Sequence, residues 1–255
     1  MHSFYPVNKS KDILMLTKNQ IKLISSLNQK KFRIQQQLFK VEGVKAIEEF
    51  LNSGFQLYQL FTTEAIFDYD NILISEAELK KISSLKTPNK AVALFKIPGP
   101  KPVEKPKLIV ALDDIRDPGN LGTIIRLCDW FGIQDLVCSL ETVDCYNPKV
   151  VQATMGSLTR VNINYLSLED FLKTSQLPIL GAFMDTSNVY TEDLPENCIL
   201  ILGNEANGIS ASIEALVTKK IGIPRFGDLQ STESLNVAMA TAILLSEFKR
   251  RSTER

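Results

Sequence analysis

The spacing of apolar residues differs between the two parts of this 255-residue chain. The first hundred residues mix short strand-like runs with helical spacing, whereas from residue 108 fully apolar runs alternate regularly with helical stretches. Continuous apolar strands that alternate with helices are typical of a mostly parallel sheet with helices on both faces. The pattern therefore predicts an α/β protein in which a larger, mostly parallel unit follows a smaller α/β unit.

The smaller unit is expected over residues 1–96. Thr17 is the expected N-cap of its first helix, and Ser75 with Glu78 three residues on predicts a capping box for its last helix. Residues 28–37 are polar and carry several basic side chains. The predicted helices span 17–27, 44–52 and 76–85, and the predicted strands span 38–41, 57–61, 72–74 and 91–95.

Residues 97–107, IPGPKPVEKPK, contain four prolines and a glycine and are predicted to be a semi-rigid linker. The larger unit follows over residues 108–255. Its predicted strands span 108–112, 136–138, 161–166, 179–183 and 198–202, with a short run at 221–223. Its predicted helices span 121–131, 148–158 and 168–173, and a last helix starts near residue 235.

The last helix is the strongest signal for a functional site. Its middle, residues 237–245, holds no charge, so we expect it to be buried on nearly every side. A polar loop that includes Ser231, Thr232, Glu233 and Ser234 leads straight into it. Polar groups at a buried junction need hydrogen-bond partners or a ligand. The sequence therefore predicts an active site where this loop meets the helix.

Ligands of open α/β sheets lie beyond the carboxyl ends of the strands, which here selects three loops. The first, residues 113–126, contains Asn120, an expected helix cap, and Arg126. The second, residues 203–208, places Glu205 between two glycines that allow close backbone approach. The third contributes Ser234 and Asn236. Each loop also has an ordinary interpretation, as a helix cap, a surface arginine or a solvated carboxylate.

Composition excludes several chemistries. Lys+Arg 29 balance Asp+Glu 29, so an RNA partner needs locally clustered basic groups. The four cysteines form no CxxC pair and the only histidine is His2, which argues against a zinc site and a Ser-His-Asp mechanism. No GxGxxG or GxxxxGK[ST] motif opens a helix. Free thiols, no signal peptide and no long apolar run predict a cytosolic protein without a membrane span.

Three ordered motifs resemble those of the SpoU (TrmH-type) RNA 2'-O-ribose methyltransferases of the SPOUT superfamily. They are DPGNLGTIIR (117–126), ILGNEANGIS (201–210), and IP (223–224) with ESLNVAMATAILL (233–245). The resemblance implies a trefoil-knotted domain, S-adenosylmethionine as methyl donor, and a homodimer with the last helix in its interface. KKFRIQQQLFKVEGVKAIEEFL (30–51) is similar to the family's L30e-like RNA-binding domain.

The resemblance also implies residue roles. S-adenosylmethionine would be held by Leu202, Gly203, Ile223, Pro224 and Leu235. The active site would comprise Arg126, Asn120, Glu205, Ser234 and Asn236. A guanidinium titrates above about 12, so we expect Arg126 to bind the phosphate beside the target ribose rather than to act as a base. Ala206 stands where the family commonly has glycine, and the stretch from 224 to 234 is longer than usual.

Large-subunit ribosomal RNA is the expected substrate, with the first domain as the RNA reader. Its candidate patch consists of Lys30, Lys31, Arg33 and Lys40 near Phe32 and Phe39, and a solvated lysine face is the simpler alternative. Three other functions remain open. They are a tRNA 2'-O-methyltransferase, which the extra domain disfavours, a catalytically silent RNA-binding protein, and a nicotinamide oxidoreductase, which the missing fingerprint disfavours.

Overall fold

The computed structural model describes residues 13–103, 108–227 and 234–253. The chain divides into two compact units, Met1–Pro98 and Gly99–Arg255, and each is described by itself. Part of the predicted linker (104–107) lies outside the described residues, as do Ser231, Thr232 and Glu233 of the predicted polar loop.

The first unit is a four-stranded sheet with helices on both faces. Its strand order is β1-β4-β2-β3, and only the β2–β3 pair is parallel. One face packs against α1 and α4 through Ile24, Leu79 and their neighbours. The other face packs against α3 through edge-on contacts of Phe39, Phe50 and Phe55. The elements are α1 Lys18–Ser26, α2 Lys30–Gln36, β1 Leu38–Glu42, α3 Val44–Leu51, β2 Leu57–Thr62, β3 Ile72–Leu73, α4 Glu76–Ile82 and β4 Ala91–Lys96.

The two predicted caps have different outcomes. Thr17 forms a complete capping box with Gln20, which confirms it as the N-cap of α1. Ser75 accepts from the Glu78 backbone N–H as predicted. The predicted return bond from Glu78 is wrong, because the Glu78 carboxylate instead accepts from the Leu16 N–H at 3.0 Å and pairs with Lys81.

The predicted basic patch of the first unit needs correction. The polar stretch forms the short helix α2, and this helix turns Arg33 inward, where it is 2% exposed and donates to the Leu27 carbonyl at 2.8 Å. Lys40 and Phe39 are buried within β1. Among the side chains named for this patch, Lys30 and Lys31 remain exposed cations.

Lys40 belongs to a buried ion pair with Glu42, two residues along the same strand. The Lys40 Nζ lies 2.9 Å from Glu42 Oε1, and it also donates to the Ile82 carbonyl at 3.0 Å and to Ser84 Oγ at 2.7 Å. Glu42 in turn accepts from the Ser83 hydroxyl and the Ser84 N–H. Burial lowers the pKa of Lys40, and Glu42 opposes that shift. The pair therefore holds the loop after α4 against β1.

The second unit is a six-stranded sheet whose pairings are all parallel in the described residues, in the order β10-β8-β9-β5-β6-β7. The α7 and α8 helices pack on the face that holds Ile109 and Ile201, and the alternate residues, such as Val110 and Leu200, are also buried. The predicted mostly parallel α/β sheet is confirmed. The elements are β5 Ile109–Leu112, α5 Pro118–Trp130, β6 Asp135–Cys138, α6 Pro148–Thr154, β7 Asn162–Tyr165, α7 Leu168–Thr174, β8 Ile179–Ala182, β9 Ile199–Leu202, α8 Ala211–Glu214, β10 Lys219–Ile221 and α9 Val237–Thr253.

The helix predicted over 148–158 ends earlier, because Met155 adopts a left-handed conformation with φ 51°. A short 3₁₀ turn, Ser157–Thr159, follows it. Gly122 of α5 lies where an added Cβ would stand 2.4 Å from the Ala153 Cβ of α6. These two helices therefore pack closely because one of them offers no side chain at the contact.

The last helix, α9, is buried along one side only, so the prediction of burial on nearly every side is wrong. Leu244, Leu245 and Phe248 are buried, whereas Met239 is 62% exposed, because within one chain α9 packs chiefly against α5. Its far end is anchored by Arg251, which pairs with Glu247 at 2.6 Å and donates to the Val189 carbonyl at 3.0 Å. Hydrogen bonds from Arg250 and Arg251 lower the pKa of Glu247 to about 2.

Within residues 13–103, 108–227 and 234–253, no helix is both long and apolar enough to cross a bilayer. Across the same ranges, no group of His, Cys, Asp and Glu side chains is arranged to hold a metal ion.

We expect Lys40→Met to lower the free energy of unfolding by about 3–5 kcal/mol, because Glu42 would stay buried without its cation. Replacement of both partners, Lys40→Met with Glu42→Leu, should recover most of that loss, since no charge is then left unpaired. Urea unfolding of both variants measures the difference. An equal loss in the single and double variants would show that the ion pair is not the source of the effect.

Candidate active site

The loops after β5 and β9 form one rigid edge of the second unit. The two strands are neighbours in parallel register, from Ile109 opposite Ile199 to Leu112 opposite Leu202, so both loops leave the sheet at the same edge. Asn204 links them, since its Nδ2 donates to the Asp114 carbonyl at 2.6 Å.

Asn204 also shapes its own loop. Its Oδ1 accepts from the Ala206 N–H at 2.8 Å and from the Asn207 N–H at 3.3 Å. Beyond this turn, the Ser210 N–H donates to the buried Asp113 carboxylate at 2.7 Å. Glu205 is therefore presented from a turn that is fixed at both ends. Ala206, where the related family commonly has glycine, fits this turn and supplies one of its N–H donors.

Gly203 is required by the same turn. A Cβ at this position would lie 2.2 Å from the Gly208 carbonyl carbon and 2.3 Å from the Ile209 nitrogen. Both atoms belong to the backbone and cannot rotate away. Gly208, with φ +69°, lets the chain return to this contact.

Asn120 does not cap α5, contrary to the prediction. Pro118 occupies the first turn of the helix, and the N-cap is Asp117, whose Oδ1 accepts from the Asn120 N–H at 2.8 Å. A helix that begins at Pro118 places Asn120 within the first turn. Its side chain is thereby free to point out of the helix toward the loop that carries Glu205.

A chain of side-chain amides connects α9 with Glu205. Asn236 caps α9, as its Oδ1 accepts from the Ala238 N–H at 3.0 Å. Its Nδ2 then donates to Asn120 Oδ1 at 3.0 Å, and Asn120 Nδ2 donates to Glu205 Oε1. Because helix N–H groups must meet an oxygen, the cap orients both amides, and the far end of the chain presents a donor to the carboxylate. Three loops that are distant in sequence therefore meet at one point.

A cavity of about 1100 Å³ opens beside this chain. Its walls include Glu205, Ser234 and all five residues expected to hold S-adenosylmethionine, namely Leu202, Gly203, Ile223, Pro224 and Leu235. The walls combine aliphatic side chains with glycine backbone. The wall also includes residues that were not anticipated from the sequence, among them Phe183, Met184, Asp185, Gly222 and Arg225.

Asp185 and Arg225 form an ion pair at this cavity, with 3.2 Å between Arg225 Nη2 and Asp185 Oδ2. No spacing in the sequence links them, because they lie 40 residues apart in different loops. Asn204 was missed as well, although asparagine is a common turn residue. Its side chain often accepts a hydrogen bond from the backbone N–H two residues further along the chain.

Arg126 is not part of the cavity wall. It is exposed on α5, six residues beyond Asn120, and lines a separate groove of about 430 Å³ with Trp130 and Met155. The structure therefore joins Asn120, Glu205 and Asn236 and leaves Arg126 on another surface of the same helix. The remaining predicted site residues, Lys30, Lys31 and Arg33, belong to the first unit.

The thiols are unsuited to nucleophilic chemistry. All four cysteines are buried. Burial raises the pKa of Cys128 to about 12, that of Cys198 to about 12, and that of Cys138 well above its ordinary value. Such thiols stay protonated at neutral pH, and the thiolate is the reactive form.

Comparison with known proteins covers both units. Residues 107–246 match the SpoU rRNA Methylase family, and residues 18–93 match an MRM3-like substrate binding domain. A 23S rRNA (guanosine(2553)-2'-O)-methyltransferase of Bacillus subtilis, RlmP, is 30% identical over 245 residues, which cover 91% of this chain and 97% of that protein.

Two solved structures are similar over nearly the whole chain. One is an RNA methyltransferase of the TrmH family from Porphyromonas gingivalis, with a TM-score of 0.85 and 39% identity over 93% of this chain and 100% of that one. The other is an AdoMet-bound rRNA methyltransferase from Sinorhizobium meliloti, with a TM-score of 0.83 and 28% identity over 94% and 98%.

We expect Gly203→Ala to disrupt the turn that presents Glu205, because the added Cβ would overlap backbone atoms of Gly208 and Ile209. Loss of this turn should lower the thermal midpoint by several degrees, because the backbone shift that relieves such an overlap costs about 1–3 kcal/mol. Gly227→Ala is the matched control, since a Cβ there meets nothing within 4 Å. Equal midpoints for the two variants in calorimetry would contradict the steric requirement.

Proposed function

The chain belongs to the SpoU rRNA Methylase family, and on that basis we propose that it transfers a methyl group from S-adenosylmethionine to a ribose 2'-hydroxyl of large-subunit ribosomal RNA. The observation that carries the proposal is the cavity whose wall presents Glu205 from a rigid turn, joined through Asn120 to the helix cap Asn236. A catalytically silent RNA-binding protein does not need a cavity with a rigidly held carboxylate.

Ribosomal RNA is favoured over tRNA by the extent of the similarity. The Bacillus subtilis 23S rRNA methyltransferase and the Sinorhizobium meliloti rRNA methyltransferase each match more than nine-tenths of this chain. The similarity therefore includes the first unit, which matches a substrate binding domain. We assign the choice of RNA to that unit and the chemistry to the second unit.

The cavity fits S-adenosylmethionine in size and lining. Its volume of about 1100 Å³ lies slightly above the roughly 300–1,000 Å³ typical of ligand pockets, as expected of an open site that also admits a ribose. Leu202, Ile223 and Leu235 provide aliphatic surface for an adenine ring, and Gly203 lets backbone donors come close. When bound, S-adenosylmethionine supplies an electrophilic methyl group, and the neutral thioether that remains after transfer is a good leaving group.

The residues of this chain then act mainly by positioning. Glu205 accepts from Asn120, which fixes the carboxylate where it can orient the ribose hydroxyl or pair with a cation. Ser234 lies on the cavity wall next to Leu235, and we assign it a hydrogen bond to the ribose. We assign Arg126 to the phosphate beside the target ribose, where a guanidinium binds two oxygens and stabilises developing negative charge.

We further propose that a second copy of the chain covers the exposed side of α9. Met239 of α9 is 62% exposed, Leu235 just before that helix is 50% exposed, and Trp130 is 84% exposed beside Arg126 on α5. Burial of these apolar side chains against a partner would bring Arg126 to a site that it does not reach within its own subunit. A trefoil knot around the cavity and a cytoplasmic location, where a bacterium such as that of the Bacillus subtilis relative makes its ribosomal RNA, complete the proposal.

The first test is methyl transfer from labelled S-adenosylmethionine to total RNA from cells that lack this protein. We expect label in large ribosomal RNA as 2'-O-methylribose. Label in tRNA would retain the chemistry and overturn the substrate. Cofactor binding without any transfer would favour the requirement for an assembly intermediate, whereas absence of cofactor binding would refute the enzyme.

We expect Arg126→Ala to reduce turnover by about 10²–10³-fold, the loss typical when one charge-stabilising donor is removed. Affinity for S-adenosylmethionine should change by no more than a few-fold, because Arg126 lies outside the cavity. Calorimetric titration and single-turnover transfer measure the two quantities. A large loss of cofactor affinity would place Arg126 at the cofactor instead.

Asn236→Asp separates helix capping from the amide chain. Aspartate caps a helix as well as asparagine does, but it has no N–H to donate to Asn120. We expect stability to be retained while kcat falls about tenfold or more and KM changes little, since one positioning hydrogen bond is lost. Asn236→Ala should lose both stability and turnover. If the aspartate variant matched the wild type in kcat, the amide chain would have no part in catalysis.

A further inference from the structure

The charges of the first unit are separated along the chain, although the whole protein is neutral. Residues 13–41 contain six basic residues and no acidic one: Lys18, Lys22, Lys30, Lys31, Arg33 and Lys40. Residues 79–98 contain five basic residues and no acidic one: Lys80, Lys81, Lys86, Lys90 and Lys96. Between them, residues 43–78 contain seven acidic residues, Glu48, Glu49, Glu64, Asp68, Asp70, Glu76 and Glu78, against the single cation Lys45.

The fold places the two basic segments side by side. Strand β1 ends the first segment and pairs antiparallel with β4 of the second. Helix α1 packs against α4 on one face of the sheet, while α3, which carries Glu48 and Glu49, packs on the opposite face. Ser84 Oγ donates to Asn28 Oδ1 at 3.0 Å, so the loop after α4 touches the turn between α1 and α2. The face with α1 and α4 therefore carries most cations of the two basic segments, together with Glu76 and Glu78 at the start of α4, and the opposite face carries Glu48 and Glu49.

Three lysines flank this loop contact. Lys30 and Lys31 follow Asn28, and Lys86 follows Ser84. All three are exposed, and within the described residues none of them pairs with a carboxylate. Two other cations of the segments are paired with carboxylates, Lys81 with Glu78 and Lys90 with Glu64. The glutamines of α2, Gln35 and Gln36, are exposed as well and add uncharged donors.

The buried Lys40–Glu42 pair fixes the loop after α4, which leads to Lys86. Lys40 uses its three ammonium hydrogens on Glu42, the Ile82 carbonyl and Ser84 Oγ. Because the same Ser84 hydroxyl donates to Asn28, the ion pair holds two exposed loops at a set distance. A buried ion pair contributes little to stability by itself, but it gives a surface of separate loops one defined shape.

We propose that this side of the first unit, Lys30, Lys31 and Lys86 around the Asn28–Ser84 contact, binds the phosphate backbone of the ribosomal RNA substrate. The inference rests on the proposed function and names the surface that recruits its RNA. Exposed lysines without carboxylate partners release counterions from RNA, and neighbouring amides suit phosphate and sugar oxygens. The surface replaces the patch expected from the sequence, since Arg33 and Lys40 point into the core.

The test compares two triple variants that change the net charge equally. Lys30→Gln, Lys31→Gln and Lys86→Gln remove the proposed contacts. Lys45→Gln, Lys149→Gln and Lys173→Gln remove three exposed lysines elsewhere. Binding of a protein-free transcript of 23S rRNA is measured at several salt concentrations, and affinity for S-adenosylmethionine is measured alongside.

We expect the first variant to bind the transcript about tenfold or more weakly, with the salt slope reduced by roughly 2–3, about one for each lost phosphate contact. The control should keep the wild-type slope, and both should keep the wild-type affinity for S-adenosylmethionine. If the two variants bound alike, the proposed surface would be wrong, although wild-type methylation would still support the enzyme. A wild type that binds cofactor but no transcript would refute the RNA surface, whereas the proposed enzyme would still be decided by the methyl-transfer assay.

The ion pair provides a second readout. Lys40→Met with Glu42→Leu keeps every exposed lysine but releases Ser83 and Ser84. We expect a several-fold loss of RNA affinity with an unchanged salt slope, since the charges remain and only their arrangement is relaxed. Unchanged affinity in this folded variant would show that the ion pair does not organise the RNA surface.

Discussion

The active-site cavity depends on the hydrogen bonds of one buried amide, Asn204. Parallel pairing of β5 with β9 brings two strand ends to one edge, but strand pairing alone leaves the loops beyond them free. Asn204 removes that freedom by donating to the Asp114 carbonyl and by accepting from the N–H groups of its own turn. Glu205, the next residue, is therefore held in a fixed position. A carboxylate that is already in place loses little entropy when substrate binds.

One side chain likewise has two roles at the junction with the last helix. The Asn236 oxygen accepts from N–H groups in the first turn of α9, and its nitrogen donates to Asn120, so the same residue caps the helix and connects it to the site. The two interpretations that the sequence left open, a structural cap and a site residue, describe the same asparagine.

Sequence patterns predicted the sheet and the division of the larger unit into strands and helices. The family resemblance, rather than the pattern, indicated the cavity residues in the second and third motifs. The patterns failed for side chains whose direction depends on where a helix starts. Moving the N-cap of α5 from Asn120 to Asp117 turns Asn120 toward Glu205, and the unforeseen helix α2 turns Arg33 toward Leu27. A shift of three residues rotates a side chain by most of a turn, and spacing cannot fix a helix start that closely. The Arg225–Asp185 pair was beyond reach because the parallel topology alone brings those loops together.

The amide chain joins residues that are 116 and 85 positions apart. Contacts of such sequence separation form late in folding, because the entropy of closing a long loop is lost before the contact contributes favourable free energy. During synthesis Asn120 and Glu205 leave the ribosome well before Asn236, and domains fold as units from the N-terminus. The nascent protein can thus build its sheet while its catalytic edge stays open. The site is completed only once Asn236 has been synthesised, so a nascent chain that lacks α9 can hold the sheet but not the amide chain to Glu205.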